Sequence, residues 1–538
     1  MTQPLQFANE AEFEEALVTR LCTKNRWSGG VLKNPTEQDL IDNWARILFE
    51  NNQQEYRLNG VPLSDSEKKT LVEHLNGITD PGAMHQLLQG KYIELVRDNP
   101  QDTVNHGKPV QLQIFDPRQI AGGDSTYQIA QQPKFARHIQ EDRNRRGDIV
   151  LLIWGLPLIH VELKNHGHST EEAIWQIRKY MQQGVYTGIM NTVQTFVAMT
   201  PEELVYFARP ASADGFNKNF QFKWSRANNE YYDNWADNAS SFLGIPQSHQ
   251  LIGDFMIADS GDGVLKVLRP YQIHAVQSII SKLSEINRVH PEDWTRNTQK
   301  GGYIWHTTGS GKTMSSFKSA ALLAREDLAD KVVFVLDRIE LSEQSEKEYN
   351  NFADDNVELH RPASTALLLR DLKDTGKTLI ITSLHKLGRL CAEDTFAGEA
   401  DFQRISNQRI VFVVDEAHRS TFGTMFRDIH NRLPHAVFIG FTGTPIYDEN
   451  KRKDTITSEL FGSELHRYSI AFGLRDNNVL GFNTQGVPTY SDLRQAVAIR
   501  QAGGVDRNSI VDIMQSESRK AIYDKFMDPQ QVPWAGGE

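Results

Sequence analysis

Cysteine is nearly absent. The 538-residue chain has two, Cys22 and Cys391, far apart in the sequence. No disulfide framework and no four-cysteine zinc site can be built from them, and such usage fits a reducing compartment. Long apolar runs are also missing. The most apolar stretch, Ile149 to Ile159, is too short to span a bilayer and carries Gly155 and Pro157. The N-terminus has no basic segment ahead of an apolar one. Asn9, Glu10, Glu12, Glu14 and Glu15 make it polar and acidic, unlike a secretory signal. There is no excess of positive charge: 58 Lys and Arg against 69 Asp and Glu leave a net charge of −11. Any nucleic-acid contact must therefore use local basic patches. Repeats and low-complexity tracts are lacking as well. Together these absences predict a cytoplasmic protein with no membrane partner.

What is present is an ordinary globular composition, 39% hydrophobic and 24% charged, with 37 Gly and 20 Pro. That excludes a collagen-like or wholly disordered chain. At ~150 residues per domain the length allows three or four domains. Residues 1–255 mix helical patterns with a few strands. Asp259-Ser260-Gly261-Asp262-Gly263 then reads as a linker or turn. Beyond it, apolar runs alternate with helix-length segments: Tyr303–Trp305, Val332–Leu336, Thr378–Ile381, Ile410–Val414 and Ala436–Phe441. Runs that are apolar on both faces predict the buried strands of a parallel α/β sheet.

The strand Tyr303–Trp305 leads into His306-Thr307-Thr308-Gly309-Ser310-Gly311-Lys312-Thr313, and a helical stretch from Met314 to Arg325 follows. Strand, Gly-rich loop and helix form the context of a phosphate-binding loop. Gly309 and Gly311 let backbone N–H groups converge on phosphate oxygens at a helix N-terminus. Lys312 would neutralise the β- and γ-phosphates of ATP, and Thr313 would ligate Mg²⁺. The strand Ile410–Val414 runs into Asp415-Glu416-Ala417-His418. Asp415 there can hold Mg²⁺, and Glu416 can orient or deprotonate the attacking water. Thr442 and Thr444, in Thr442-Gly443-Thr444-Pro445, could sense the nucleotide.

A second constellation lies upstream. Asp148 opens an apolar run, Gly155-Leu156-Pro157 turns, and Leu158–Lys164 returns with Glu162-Leu163-Lys164, a hairpin pattern. With Leu156 at its centre, Asp148 faces Lys164 and Val150 faces Glu162. Asp148, Glu162 and Lys164 then share one face within about 10 Å, enough for a divalent metal and an activated water. A helix over 171–183 would place Gln176 and Tyr180 together, with Ile174, Ile177 and Met181 packing beside them. Arg137, Arg143, Arg145 and Arg146 lead into this site, either as guides for phosphate or as ordinary surface interrupted by Glu141 and Asp142.

These motifs carry resemblances. Residues 308–313, 415–418 and 442–445 resemble motifs I, II and III of superfamily 2 helicases and translocases. His418 belongs to the second of these. Leu268–Gln272 resembles the upstream element whose Gln, here Gln272, contacts adenine. Leu336–Leu341 and Thr382 resemble motifs Ia and Ib. His306 departs from the usual first residue of the loop. Asp148, Glu162, Lys164, Gln176 and Tyr180 resemble the PD-(D/E)xK nuclease core of the RecB-like kind, with Arg145-Arg146-Gly147 where a Pro would precede the Asp. The acidic N-terminal helix resembles one that lends such sites a further carboxylate, for which Glu15 is the favoured residue; the alternative is a solvated helix face with no part in the site.

A nuclease N-terminal to such a motor resembles the restriction (R) subunit of type I restriction-modification enzymes. The related type III subunits have the reverse order. The resemblance implies ATP-driven translocation on double-stranded DNA and Mg²⁺-dependent cleavage, in complex with modification (M) and specificity (S) subunits. The M subunits would use S-adenosylmethionine. It predicts a nuclease domain over 1–255, a first RecA-like lobe over 256–470, and a linker with the incomplete start of a second lobe over 471–538. Leu465–Phe482 would lead into that lobe. No Gln-x-x-Gly-Arg-x-x-Arg element follows Pro445, so the reading expects the second RecA-like lobe to be missing from these residues. Two other readings stay open: a free-standing nuclease–helicase of defence or repair, and a truncated remnant that binds DNA or partners without turnover.

Overall fold

The computed structural model describes residues 6–120, 125–135, 146–289, 301–336, 352, 358–392, 398–415, 422–447, 456–479 and 490–528. Glu416, His418, Arg137, Arg143, Arg145 and residues 337–341 lie outside them. The chain divides into two compact units, Met1–Val479 and Leu480–Glu538.

The N-terminal part of the first unit is built on a seven-stranded mixed sheet whose spatial order follows the sequence. Its strands are β1 (Val31–Lys33), β2 (Tyr127–Gln131), β3 (Ile149–Ile153), β4 (Leu156–Leu163), β5 (Thr195–Met199), β6 (Leu204–Ala208) and β7 (Phe222–Lys223). β3, β4 and β5 are buried along their whole length. That suits runs without polar alternation, since both faces are covered.

The β3–β4 hairpin is tighter than its sequence suggests. Trp154 and Gly155 form a two-residue turn, both at positive φ (58° and 76°), as the twist of paired strands favours. A Cβ on Gly155 would lie 3.0 Å from the Cα of Trp44, so the turn also seats the helix Glu37–Asn51. The register is Ile149 to Val161, Val150 to His160 and Leu151 to Ile159. The expected pairing of Val150 with Glu162 is therefore off by two residues: the turn at Trp154-Gly155 by itself shifts it by three, and a β-bulge between Leu151 and Leu152 takes one residue back. A shift of two preserves the faces, so Asp148, His160 and Glu162 still share one.

The sheet of the motor part is wholly parallel. Its strands are β8 (Gly302–His306), β9 (Lys331–Leu336), β10 (Leu359–His360), β11 (Leu379–Ser383), β12 (Ile410–Val414), β13 (Val437–Thr442) and β14 (Glu464–Tyr468), in the order β10-β11-β9-β12-β13-β8-β14. The five apolar runs become β8, β9, β11, β12 and β13. β14 corrects an expectation. Leu465 and its neighbours do not leave for another lobe but pair with β8 at the sheet edge. The helix Ile470–Arg475 also belongs to this unit, which moves the expected boundary at 470 to Val479. The Asp259–Gly263 stretch is the turn of a hairpin, Met256–Asp259 with Val264–Val267.

Nuclease-side and motor-side elements share one core. Ile273, Val276 and Leu322 pack into the same apolar cluster as β3–β6. The helix Lys312–Arg325 binds across the junction. Lys318 Nζ donates to the Met256 carbonyl at 2.9 Å, and Arg325 pairs with Asp254. The second unit is described separately. Its helices Tyr490–Gln501, Ile510–Met514 and Glu517–Met527 close around Ala498, Ile499, Ala502, Ile513 and Tyr523.

Buried histidines of the first unit, His85, His249 and His466 among them, are held neutral. Burial lowers His85 to about 3, and His249 and His466 to about 4, from an ordinary 6.5. Below pH 6.5 the unfolded chain binds protons that the folded chain refuses. Each such histidine therefore removes stability as pH drops from 6.5 toward 4, by about 2 kcal/mol at pH 5. The urea midpoint of His249→Gln should change less favourably toward high pH than that of the wild type, so that the variant gains relative to the wild type as pH falls from 7.5 to 5. The same pH dependence in both contradicts this account.

Candidate nuclease and nucleotide sites

At the open end of the β3–β4 hairpin the backbone N–H of Leu163 donates to Asp148 Oδ2 at 2.7 Å. Glu162 is fully buried, and neither of its oxygens accepts a hydrogen bond. Lys164 Nζ stands 3.8 Å from Glu162 Oε1 and 3.4 Å from Glu10 Oε1, and donates to the Leu163 carbonyl at 2.7 Å. Burial, reinforced by the charge of Glu162, pushes Asp148 well above the usual carboxylate range. Burial pushes Glu162 up to about 8 although Lys164 pulls it down. Two carboxylates side by side in a dry pocket do not both ionise at neutral pH without a further cation.

The helix Thr170–Gln182 braces the entry to this site. Gln176 Nε2 donates to Tyr180 Oη at 2.6 Å, and the Tyr180 hydroxyl donates to the Arg146 carbonyl at 2.9 Å. The pair thus fixes the backbone two residues before Asp148. Of the four arginines, Arg146 is the one described, and it is exposed.

The helix Glu10–Lys24 supplies carboxylates, but not the expected one. Glu15 is exposed, and its carboxylate accepts from Gln131 Nε2 at 3.2 Å. Glu14 is 3% exposed, with Oε1 unpartnered, and its charge acts on Glu162. Glu10, one turn earlier, reaches Lys164. The available signal was periodicity: Glu14 sits in the buried stripe of Phe13, Leu17, Val18 and Leu21. An acid in an apolar stripe must face something that accepts it.

Among the described residues no three His, Cys, Asp or Glu side chains already form a metal-binding cluster. The donor set is the Asp148–Glu162 pair, and Mg²⁺ is characteristically bound by one or two carboxylates plus water. The orphaned oxygens of Glu162 fit such an ion.

The motor site lies at the C-terminal ends of β8, β12 and β13. Gly309 and Gly311 have φ of 81° and 78°, and the helix starts at Lys312. The loop is held from behind. Ser310 Oγ donates to the Thr307 carbonyl at 2.6 Å, and the Tyr271 hydroxyl donates to the Ser310 carbonyl at 2.6 Å. Gln272 Nε2 donates to the carbonyls of Ser310 and Gly311 at 3.2 and 3.1 Å, so its amide braces the loop. Lys312 is buried and Thr308 and Gly309 are exposed. Thr313 opens the helix beside Lys312. Asp415 ends β12, half-buried, with its N–H on the Val335 carbonyl at 3.2 Å. Thr442 is buried at the end of β13, its Oγ1 accepting from the Thr444 N–H at 3.2 Å. A Cβ on Gly443 would lie 3.0 Å from Thr308 Oγ1, so this turn touches the phosphate loop directly. A cavity of about 210 Å³ opens beside the loop, lined by Gly309, Gly311, Gln272, Arg269, Phe220 and Phe222. The last two come from the nuclease side.

Comparison with known proteins follows the same division. Residues 7–215 match the type I restriction enzyme R protein N terminus (HSDR_N), and residues 271–508 match the SWI2/SNF2 ATPase. The type I restriction enzyme SsaAORF53P endonuclease subunit of Staphylococcus saprophyticus is 33% identical over 493 residues, 91% of this chain and 48% of that protein. A Mycoplasma pneumoniae protein, provisionally named as the C-terminal part of a type I restriction enzyme endonuclease subunit (MpnIIP), is 37% identical over 213 residues. Those residues are 38% of this chain and 98% of that protein. A Sulfolobus solfataricus SWI2/SNF2 ATPase core in complex with dsDNA superposes loosely, with a TM-score of 0.27 and 18% identity over 52% of this chain and 46% of that one. The chain spans about half the length of the staphylococcal relative. It belongs to the family of type I restriction enzyme endonuclease (R) subunits.

Proposed function

We propose that this chain carries the nuclease and the first motor lobe of an R subunit. In this reading the subunit moves double-stranded DNA with ATP and cuts it with Mg²⁺. It works in the cytoplasm, in complex with S and M subunits, the latter using S-adenosylmethionine. The observation that carries the reading is the orphaned Glu162 carboxylate beside Asp148 and Lys164, in the same unit as a braced phosphate loop. A non-catalytic remnant would have no reason to keep two acids buried side by side, one of them with no hydrogen bond to either oxygen, since such burial costs stability.

In the nuclease centre Asp148 and Glu162 would hold the metal. When bound, the ion lowers the pKa of its water and neutralises charge on the scissile phosphate. Lys164 reaches the same point and orients the attacking hydroxide or meets developing charge. Gln176 and Tyr180 hold the turn into Asp148. In the motor, the N–H groups of Gly309–Gly311 and the ammonium of Lys312 take the phosphates. Thr313 and Asp415 take Mg²⁺, and Glu416 orients the water. Thr442 and Thr444 report the nucleotide through the contact of Gly443 with Thr308. The adenine would enter the cavity beside Gln272.

In the full enzyme with its partners, Asp148→Ala, Glu162→Ala and Lys164→Ala should each lower DNA cutting below about 1% of wild type while ATP hydrolysis persists. Normal cutting by Glu162→Ala sinks the nuclease assignment. Lys312→Ala should weaken Mg·ATP binding about 10- to 100-fold, the worth of a charge-assisted contact. Glu416→Gln should bind ATP and stop hydrolysing it. A wild-type ATPase rate in Glu416→Gln would remove Glu416 from the mechanism.

A further inference from the structure

One buried imidazole beside the nuclease carboxylates has no role in the account above. His160 lies two residues before Glu162 on β4, on the same face, and is fully buried. Four aromatic rings box it in: Phe135, Tyr180, Tyr186 and Phe196, with centroids 5.8 to 6.3 Å away. Its Nδ1 is 2.7 Å from the Tyr186 hydroxyl. Its Nε2 is 3.4 Å from Glu162 Oε2, close but short of hydrogen-bond geometry, and neither atom has a hydrogen-bond partner.

The tautomer follows from these contacts. A phenol hydroxyl carries its proton at neutral pH, and that of Tyr186 lies within hydrogen-bond reach of Nδ1. If Nδ1 carried the proton, a bare Nε2 lone pair would face the Glu162 carboxylate. With the Tyr186 O–H donating to Nδ1, Nε2 carries the proton and points it at Glu162.

The backbone is shaped to admit this ring. Gly147 stands where the family pattern has Pro before the Asp, and a Cβ at 147 would lie 2.8 Å from His160 Nε2 and 2.6 Å from Phe135 Cζ. The missing Pro and the buried His are thus one feature. The imidazole fills space that a ring at 147 would need.

Resting on the proposed metal centre, we propose that His160 is a positioning residue. Oriented by Tyr186, it presents its Nε2–H to Glu162 Oε2 across 3.4 Å and keeps that carboxylate toward Asp148, where a divalent cation would bind. Such outer partners typically contribute about 10- to 100-fold in metal affinity.

The test is Mn²⁺ binding to the intact chain without nucleotide, followed by electron paramagnetic resonance, with thermal unfolding as a fold check. Glu162→Ala identifies the site: if it leaves Mn²⁺ binding unchanged, the metal-centre reading fails and this inference with it. If Glu162→Ala removes a site, the remaining variants test His160 alone. His160→Leu, which keeps apolar volume but has no donor, should weaken that site about 10- to 100-fold. His160→Gln, whose amide accepts from Tyr186 and donates to Glu162, should recover most of the affinity. Wild-type affinity in His160→Leu overturns the proposal, and so does a loss that Gln does not rescue, because packing alone then explains it. Should His160→Leu fail to fold, Tyr186→Phe decides. Weakened Mn²⁺ binding supports the relay, and unchanged binding overturns it.

Discussion

The burial of Glu162 beside Asp148 is the constraint around which the N-terminal part is arranged. A strand covered on both faces offers no water to a carboxylate, and burial without a partner raises its pKa. The surroundings answer this cost in several ways. The Leu163 N–H meets Asp148, the Lys164 ammonium stands near Glu162, and Tyr186 turns His160 toward it. Each of these lessens the charge problem, and none removes it. What remains is a pocket that ionises fully only with a cation present.

The C-terminal part of the first unit solves a different problem, that of holding a glycine-containing loop open at the end of a parallel sheet. Two glycines at positive φ aim the N–H groups, and carbonyls on the back of the loop are tied by Tyr271 and Gln272. Tyr271 is itself stacked on Tyr468 of β14 at 3.6 Å. The edge strand therefore reaches the loop through one aromatic pair. On the other side, the helix that starts at Lys312 packs along the nuclease core and anchors through Lys318 and Arg325. The element that meets the phosphates is thus mechanically part of both halves.

Much of this was legible in the linear chain. The parallel strands were visible because runs such as Val332–Leu336 are apolar on both faces. The hairpin and the face shared by Asp148 and Glu162 followed from a period of two, which tolerates the error of two in register. Glu14 and His160 were not legible as site residues. Glu14 is one acid among four near the N-terminus, and although its apolar stripe turns it inward, what it meets there depends on packing against the hairpin. His160 sits in an apolar run, and its partner Tyr186 lies 26 positions downstream. β14 was misplaced because an edge strand that is half polar shows its pairing only once β8 is in place.

The sequence by itself determined the chemistry on offer: a phosphate loop, an Asp at the end of a buried strand, and an Asp–Glu–Lys set on one hairpin face. These are local patterns, set by backbone periodicity and by glycine's access to positive φ. Tertiary structure alone decided which acid of the first helix joins the site, which atom of His160 faces Glu162, and that nuclease and motor share a core. Those outcomes depend on side chains far apart in sequence competing for the same buried volume, and no local period encodes that competition.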